Sequence, residues 1–354
     1  MNCSIAWRQK ICAAGLALLI FFAAWPAVRA AVAAEPAAGD QAFRRFIFVV
    51  GANNGGKNRI RLKFATSDAG AVSKLMQELG GVAPADAYVL TDPSRNGLET
   101  GFRQLQSILR EAKRSGQRIE VIVYYSGHSD ERGLLLNGEH FSYSEMRQAI
   151  DGLSADVRVA ILDSCASGAL TREKGGTRRS AFLVDSSTAV RGHAFLTSSS
   201  ADEAAQESDR VGGSFFTHYL ISGLRGAADD NRDGRVSINE AYHYAFHETL
   251  ARTESTRAGP QHPSYDFQLA GAGDLVLTDL NEISALLELP AEMNGRFFIR
   301  DSQGRLVAEV NKRPGQPMSI GLEPGEYRVT AQQKASWLSG AVRLEKGKKT
   351  VLAL

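Results

Sequence analysis

Between residues 43 and 278, short apolar runs alternate with stretches whose apolar positions recur every three or four residues. Phe43 to Gly51 (FRRFIFVVG) predicts a strand that empties into the glycine- and asparagine-rich segment Gly51 to Gly56. Thr66 to Leu79 sets Ala69, Val72, Leu75, Met76 and Leu79 on one helical face and stops at Gly80-Gly81. The same reasoning predicts strands at Asp86 to Leu90, Arg118 to Tyr125, Val157 to Leu162, Gly192 to Ser199 and Asp274 to Leu277. It predicts helices at Gly101 to Ser115, Ser142 to Leu153, Ser214 to Gly226 and Asn239 to Arg252. Alternating strands and helices imply an α/β fold, a mostly parallel six-stranded sheet with helices on both faces.

The texture changes after Thr278. Short alternating runs at Arg296 to Arg300, Val307 to Val310, Tyr327 to Ala331, Ala341 to Leu344 and Thr350 to Leu354 are punctuated by Gly304, Pro314-Gly315, Pro324-Gly325, Gly340 and Gly347. This predicts a separate small all-β sandwich over 292–354. It carries no cysteine and no ionisable cluster, so its expected role is binding or placement, against another protein or an envelope component.

The N-terminus follows a third pattern. Arg8 and Lys10 precede the mostly apolar run Ile11 to Trp25, then Pro26 and the small-residue site Val28-Arg29-Ala30. Residues 1–30 read as a Sec signal peptide, and 31–42 as a linker before a domain at 43–280. The apolar run is short for a bilayer span of ~20 residues, so no stable membrane span is expected after cleavage. The expected location is the periplasm or the outside of the cell. Charge is nearly balanced, 41 basic against 39 acidic side chains, which gives no field for nucleic acid.

Export changes the meaning of the cysteines. Cys3 and Cys12 leave with the signal peptide, and Cys165 becomes a lone thiol in an oxidising compartment. Such a thiol is either a buried inert residue or a reactive one. Its neighbours decide. Ligands of open parallel sheets sit beyond the C-terminal ends of the strands. Two strands here end in reactive residues, Tyr125-Ser126-Gly127-His128 and Asp163-Ser164-Cys165. If these strands are neighbours, His128 and Cys165 share one edge. An imidazole beside a thiol supplies the base that makes a thiolate at neutral pH. The amides of Gly127 and Cys165 would receive the oxygen of a tetrahedral intermediate. That set suffices for acyl transfer without a cofactor. His243 and His247 have metal-compatible helical spacing but no third ligand in view.

YYSGH at 124–128 and DSCASG at 163–168 resemble the catalytic pair of the caspase-like cysteine peptidases, and among them the bacterial metacaspase-like branch. The resemblance covers 43–278. It implies a caspase-hemoglobinase-like fold and a polypeptide substrate, with Cys165 as nucleophile and His128 as general acid/base. Metacaspases line the first specificity pocket with acids and cut after Arg or Lys. On that pattern Asp68, Ser126 and Asp163 would form the pocket, which suits a guanidinium or ammonium. Without the pocket, Asp68 is a first-turn helix acid and Asp163 a turn cap. Ala166 departs from the metacaspase pattern, which has His after the Cys. The basic loop Thr171 to Ser180 offers Arg172, Lys174, Arg178 and Arg179 for self-cleavage, and Ser199, Ser200, Asp202 and Glu203 are candidates for the substrate groove. The other reading is a catalytically silent caspase-fold binding or scaffold protein, with acyl transfer to another amine, as in transpeptidation, as a weaker third.

A separate motif lies at 229–240, DDNRDGRVSINE. It fits the EF-hand loop template, with Asp229, Asn231, Asp233 and Glu240 as side-chain calcium ligands, the Arg235 carbonyl, and Ser237 directly or through water. The expected calcium ion is structural, and a metal-free Asx/Gly turn is the alternative.

Overall fold

The computed structural model describes residues 43–57, 59–165, 191–200, 203–271, 274–281, 285–333 and 336–354. The expected signal peptide, the linker and the basic loop Thr171 to Ser180 lie outside the described residues, as does Asp202.

The central sheet has six strands: β1 (Phe43–Ala52), β2 (Val82–Thr91), β3 (Arg118–Gly127), β4 (Val157–Asp163), β5 (Arg191–Thr197) and β6 (Ser264–Ala270). Their spatial order is β6-β5-β4-β3-β1-β2. The first five are parallel, and β6 runs antiparallel to β5. Strands buried on both faces need apolar residues at every position, and β1 shows why. Ile47 and Val49 enter the core beneath helices α1 (Ala65–Glu78), α4 (Phe215–Ser222) and α5 (Ile238–Thr253). Phe46, Phe48 and Val50 enter the core beneath α2 (Arg95–Arg114) and α3 (Tyr143–Asp151). Helix α2 begins at Arg95, capped by Ser94, two turns before the expected Gly101. Its early polar and glycine residues hide that start from a periodicity argument.

The sixth strand corrects the sequence expectation. Val276–Asp279 does not join the main ladder but pairs with Arg235–Ser237. The edge beside β5 is filled by β6, whose half-exposed residues SYDFQLA lack an apolar run. The carbonyls of Val276 and Leu277 are used elsewhere. They accept from the buried Arg45 guanidinium at 2.8 and 2.9 Å, which also meets Glu120 at 2.6 Å.

The C-terminal sandwich comprises β7 (Ala285–Leu289), β8 (Gly295–Asp301), β9 (Leu306–Lys312), β10 (Met318–Gly321), β11 (Gly325–Gln333), β12 (Ser336–Leu344) and β13 (Lys348–Val351). Sheets β10-β7-β13 and β9-β8-β11-β12 enclose Leu287, Phe297, Ile299, Val310 and Val329. β7 lies upstream of 292, so the sandwich begins earlier than its Gly/Pro punctuation suggests. Ala227, which directly follows the α4 region, is part of the same apolar core.

Candidate active site

Strands β3 and β4 are in parallel register with Ser126 opposite Asp163. His128 and Cys165 each stand two residues beyond that pair, so the two chains overhang the sheet by equal lengths. The overhangs are joined, since the Ser129 hydroxyl donates to the carbonyl of Cys165. The turn at Cys165 is also held from β5. Ser164 N donates to Ser198 Oγ at 3.1 Å, and Ser199 Oγ donates to Ser164 O at 3.1 Å. The turn at His128 is fixed by its own carbonyl, which accepts from Tyr125 Oη at 2.7 Å and Leu135 N at 2.9 Å. At Gly127 a Cβ would collide with the Tyr125 hydroxyl, so only glycine lets that hydroxyl reach past it.

The imidazole of His128 is half-buried and oriented from the loop after β1. Nε2 lies 2.7 Å from the Ile60 carbonyl. A carbonyl only accepts, so Nε2 carries a proton, and in the neutral tautomer the lone pair is on Nδ1. The loop that presents Ile60 is itself tied down. Asn53 N donates to Asp92 Oδ1 at 2.7 Å, Asn53 Nδ2 to Thr66 Oγ1 at 3.0 Å, and Leu62 N to Asn53 O at 2.9 Å. Gly55 packs so closely on the His128 ring that any Cβ there would strike it.

Cys165 is a free, half-buried thiol. Its sulfur approaches the Ala205 carbonyl at 4.0 Å. Burial pushes its pKa up, and the Ala205 contact pulls the other way. No hydrogen bond joins Sγ to the imidazole in this arrangement.

The acids lie one layer deeper. Asp163 is 3 % exposed and accepts at Oδ2 from the hydroxyls of Ser214 and Thr217, the latter at 2.6 Å. Among the described residues its buried Oδ1 makes no hydrogen bond of good geometry. Asp68, 5 % exposed in the first turn of α1, accepts from Ser214 N at 3.0 Å. Desolvation pushes the Asp68 carboxyl well up, and the charge of Asp163 adds to it. Burial likewise raises Asp163, with the Ser214 and Thr217 hydroxyls opposing it. Ser126 is also buried and sits in register beside Asp163.

Three contributors escaped the sequence reading. Glu207 accepts from Lys63 N and Phe64 N at 3.0 and 3.1 Å, and its charge raises both acids. Ser214 and Thr217 open α4 and hold the acids, Ser214 being the helix N-cap. The capping pattern at Ser214 was legible, but its second role toward Asp163 needs the tertiary fold. Of the expected groove residues, Glu203 binds His262 Nδ1 at 2.7 Å, which anchors the loop carrying Ala205. Asp68 also borders a cleft of about 550 Å³, together with Gly213, His218, Arg225 and, from the C-terminal sandwich, Arg300 and Arg305.

The loop at 229–240 turns as the template requires. Gly234 has φ +78°, and Asp229, Asn231 and Asp233 accept from the amides of Gly234, Asp233 and Arg235 at 3.2, 2.8 and 2.8 Å. The last ligand position departs from it. Glu240 Oε2 accepts from Ser237 N and Ser237 Oγ, both at 2.9 Å, in a capping box that starts α5. Among the described residues no group of three His, Cys, Asp or Glu gathers to hold a metal ion, and this includes His243 and His247.

Comparisons with known proteins agree with this architecture. A search of curated protein sequences finds no match. Among solved structures, caspase-1 from Spodoptera frugiperda is similar in fold, with a TM-score of 0.50 and 13 % identity over 69 % of this chain and 93 % of that one. The family model for the caspase domain, Peptidase_C14, matches residues 44–270, a span that takes in the central sheet and the tips at His128 and Cys165. The chain therefore belongs to the caspase-domain peptidase family.

Proposed function

We propose that the protein is a cysteine endopeptidase that cleaves after arginine or lysine. The observation that carries the chemistry is the pair of equal overhangs, joined by the bond from Ser129 to the Cys165 carbonyl. In this reading Nδ1 of His128 takes the thiol proton. The thiolate attacks the scissile carbonyl, and the amides of Gly127 and Cys165 receive the oxyanion. The imidazolium returns its proton to the leaving amine, and water then releases the acyl group. Ile60 O keeps the ring in the tautomer this sequence needs. The specificity is supported by Asp68, Asp163 and Glu207. The buried carboxylates of Asp68 and Asp163, with the half-buried Glu207 beside them, would gain from a guanidinium that both neutralises and hydrogen-bonds them. Asp68 and Asp163 match the metacaspase pattern, while Ala166 does not.

Fluorogenic Arg, Lys and Asp peptides, assayed beside Cys165→Ala, test this reading. Turnover of the Arg and Lys peptides is expected, and turnover after Asp alone overturns the acidic pocket. The second reading, a silent scaffold, is favoured by the raised thiol pKa and by the missing bond between thiol and imidazole. No turnover and no labelling by a thiol-reactive peptide would establish it. We also infer export by the N-terminal 30 residues and a structural calcium ion at Asp229, Asn231 and Asp233. N-terminal sequencing of the secreted protein checks the first. A higher melting temperature in millimolar calcium, lost in Asp229→Ala, checks the second.

A further inference from the structure

One residue of the C-terminal sandwich reaches the machinery of the peptidase domain. Glu309, on β9, is fully buried. Its carboxylate accepts from Arg252 of α5, from Arg296 of β8 at 2.8 Å and from Tyr219 Oη of α4 at 3.3 Å. His218 Nε2 of α4 lies 3.7 Å away. Burial alone would raise the Glu309 carboxyl, but His218 and Arg252 outweigh it and hold it far below the usual carboxylate range. The backbone takes part as well. Glu309 N donates to Ser222 Oγ at 3.1 Å, and Tyr244 Oη donates to Glu309 O at 3.2 Å. Tyr244, Glu248 and Arg252 follow one another at four-residue steps along α5, and Glu248 takes the second bond of Arg296 at 2.9 Å.

The helix that receives Glu309 is the one that holds the acids. α4 is eight residues long, about 12 Å. At its first turn Ser214 and Thr217 bond Asp163, and Ser214 N bonds Asp68. From mid-helix His218, and from its last turn Tyr219 and Ser222, meet Glu309. Just beyond, Gly226 has φ +117°, and a Cβ there would run into the Ser319 carbonyl of β10. Arg225 Nη1 bonds Gly321 O at 3.0 Å. The sandwich therefore grips α4 at side chains and continues onto the backbone after it. A two-turn helix cannot tilt at one end without moving the other.

We propose that Glu309 is a positioning residue for the specificity acids, so that the C-terminal sandwich sets the affinity of the pocket for a basic side chain through α4. This rests on the peptidase reading above for its substrate and on the hydrogen bonds alone for its linkage. The variants are Glu309→Gln, which keeps shape and one acceptor oxygen, and Ser222→Ala, which removes a link without unpairing a charge. Both are expected to raise KM for an Arg peptide by about three- to tenfold with kcat within about twofold. Amide exchange at Ser214 and Thr217 should quicken, and alkylation of Cys165 by iodoacetamide should keep its wild-type rate. Unchanged exchange and unchanged KM in both folded variants overturn the proposal. So does a parallel fall of kcat, affinity and alkylation, which would mark general loosening. If the wild-type protein cleaves no peptide, exchange decides alone. Faster exchange at those two amides in Glu309→Gln then supports the linkage while the peptidase reading fails, and unchanged exchange overturns it.

Discussion

The acid cluster and the thiol–imidazole tip lie two residues apart along the same strands, yet they are built differently. Asp163 and Asp68 are nearly buried, bonded from one helix end and raised by desolvation. Cys165 and His128 are half-buried, and among the described residues their side chains each hydrogen-bond a single backbone carbonyl, Ala205 O and Ile60 O. The acid pair is preassembled at a cost in stability, because two carboxyl groups share a dry space. The thiol and the imidazole are held through their backbones, with few side-chain bonds among the described residues. A peptide bound between them would meet a fixed pocket and an adjustable pair.

The comparison is broken most directly at the thiol. Cys165→Ala is expected to lower kcat by roughly 10⁴-fold or more with KM for Arg peptides little changed. A large rise in KM would mean that the pocket depends on the thiol, contrary to the division drawn here. Asp163→Asn should do the reverse. It should lower kcat/KM for Arg peptides by roughly 100-fold while iodoacetamide still alkylates Cys165 at the wild-type rate. Equal loss of both would make Asp163 a structural residue.

Ser129→Ala sharpens the tip side. Losing the hydroxyl that holds the Cys165 carbonyl should reduce kcat about fivefold and leave KM alone, as measured by saturation kinetics. The smallest effect is thermodynamic. The acids have raised pKa values in the folded state, so the unfolded chain releases these protons at lower pH. Their contribution to stability is then fully present below the ordinary carboxylate pKa of about 4 and is lost as pH rises through the folded values. Asp68→Asn should therefore melt roughly 2–4 °C above wild type at pH 7, with the gap closing towards pH 3 in a thermal scan. A gap that widens on acidification would show that these carboxylates stabilise the fold.

Much of this was legible in the sequence for a simple reason. Doubly buried parallel strands must be apolar throughout, so β1, β3 and β4 announce themselves, and polar residues at their ends stand out. His128, Cys165 and Asp163 were singled out in that way, and the fold brings them to one edge of the sheet. β6 was missed because an antiparallel edge strand with one exposed face needs no apolar run. Glu207, Ser214 and Thr217 were missed as site residues because nothing local marks them. Glu207 reaches the start of α1, and Ser214 and Thr217 reach Asp163 on β4, from far along the chain. Glu240 shows a different limit. The same residue satisfies both a calcium template and a helix capping box, and the described structure uses the cap.

The bond to the Ile60 carbonyl has a consequence for anyone mapping this protein by mutation. The side chain of Ile60 is 88 % exposed, while its oxygen orients the His128 ring. A substitution scan would score position 60 as freely variable, because every amino acid supplies the same oxygen. The dependence would surface only when the main chain itself is altered, by a deletion between Gly56 and Leu62 or by an ester in place of the peptide link. A position can thus be silent in its codon and indispensable in its backbone.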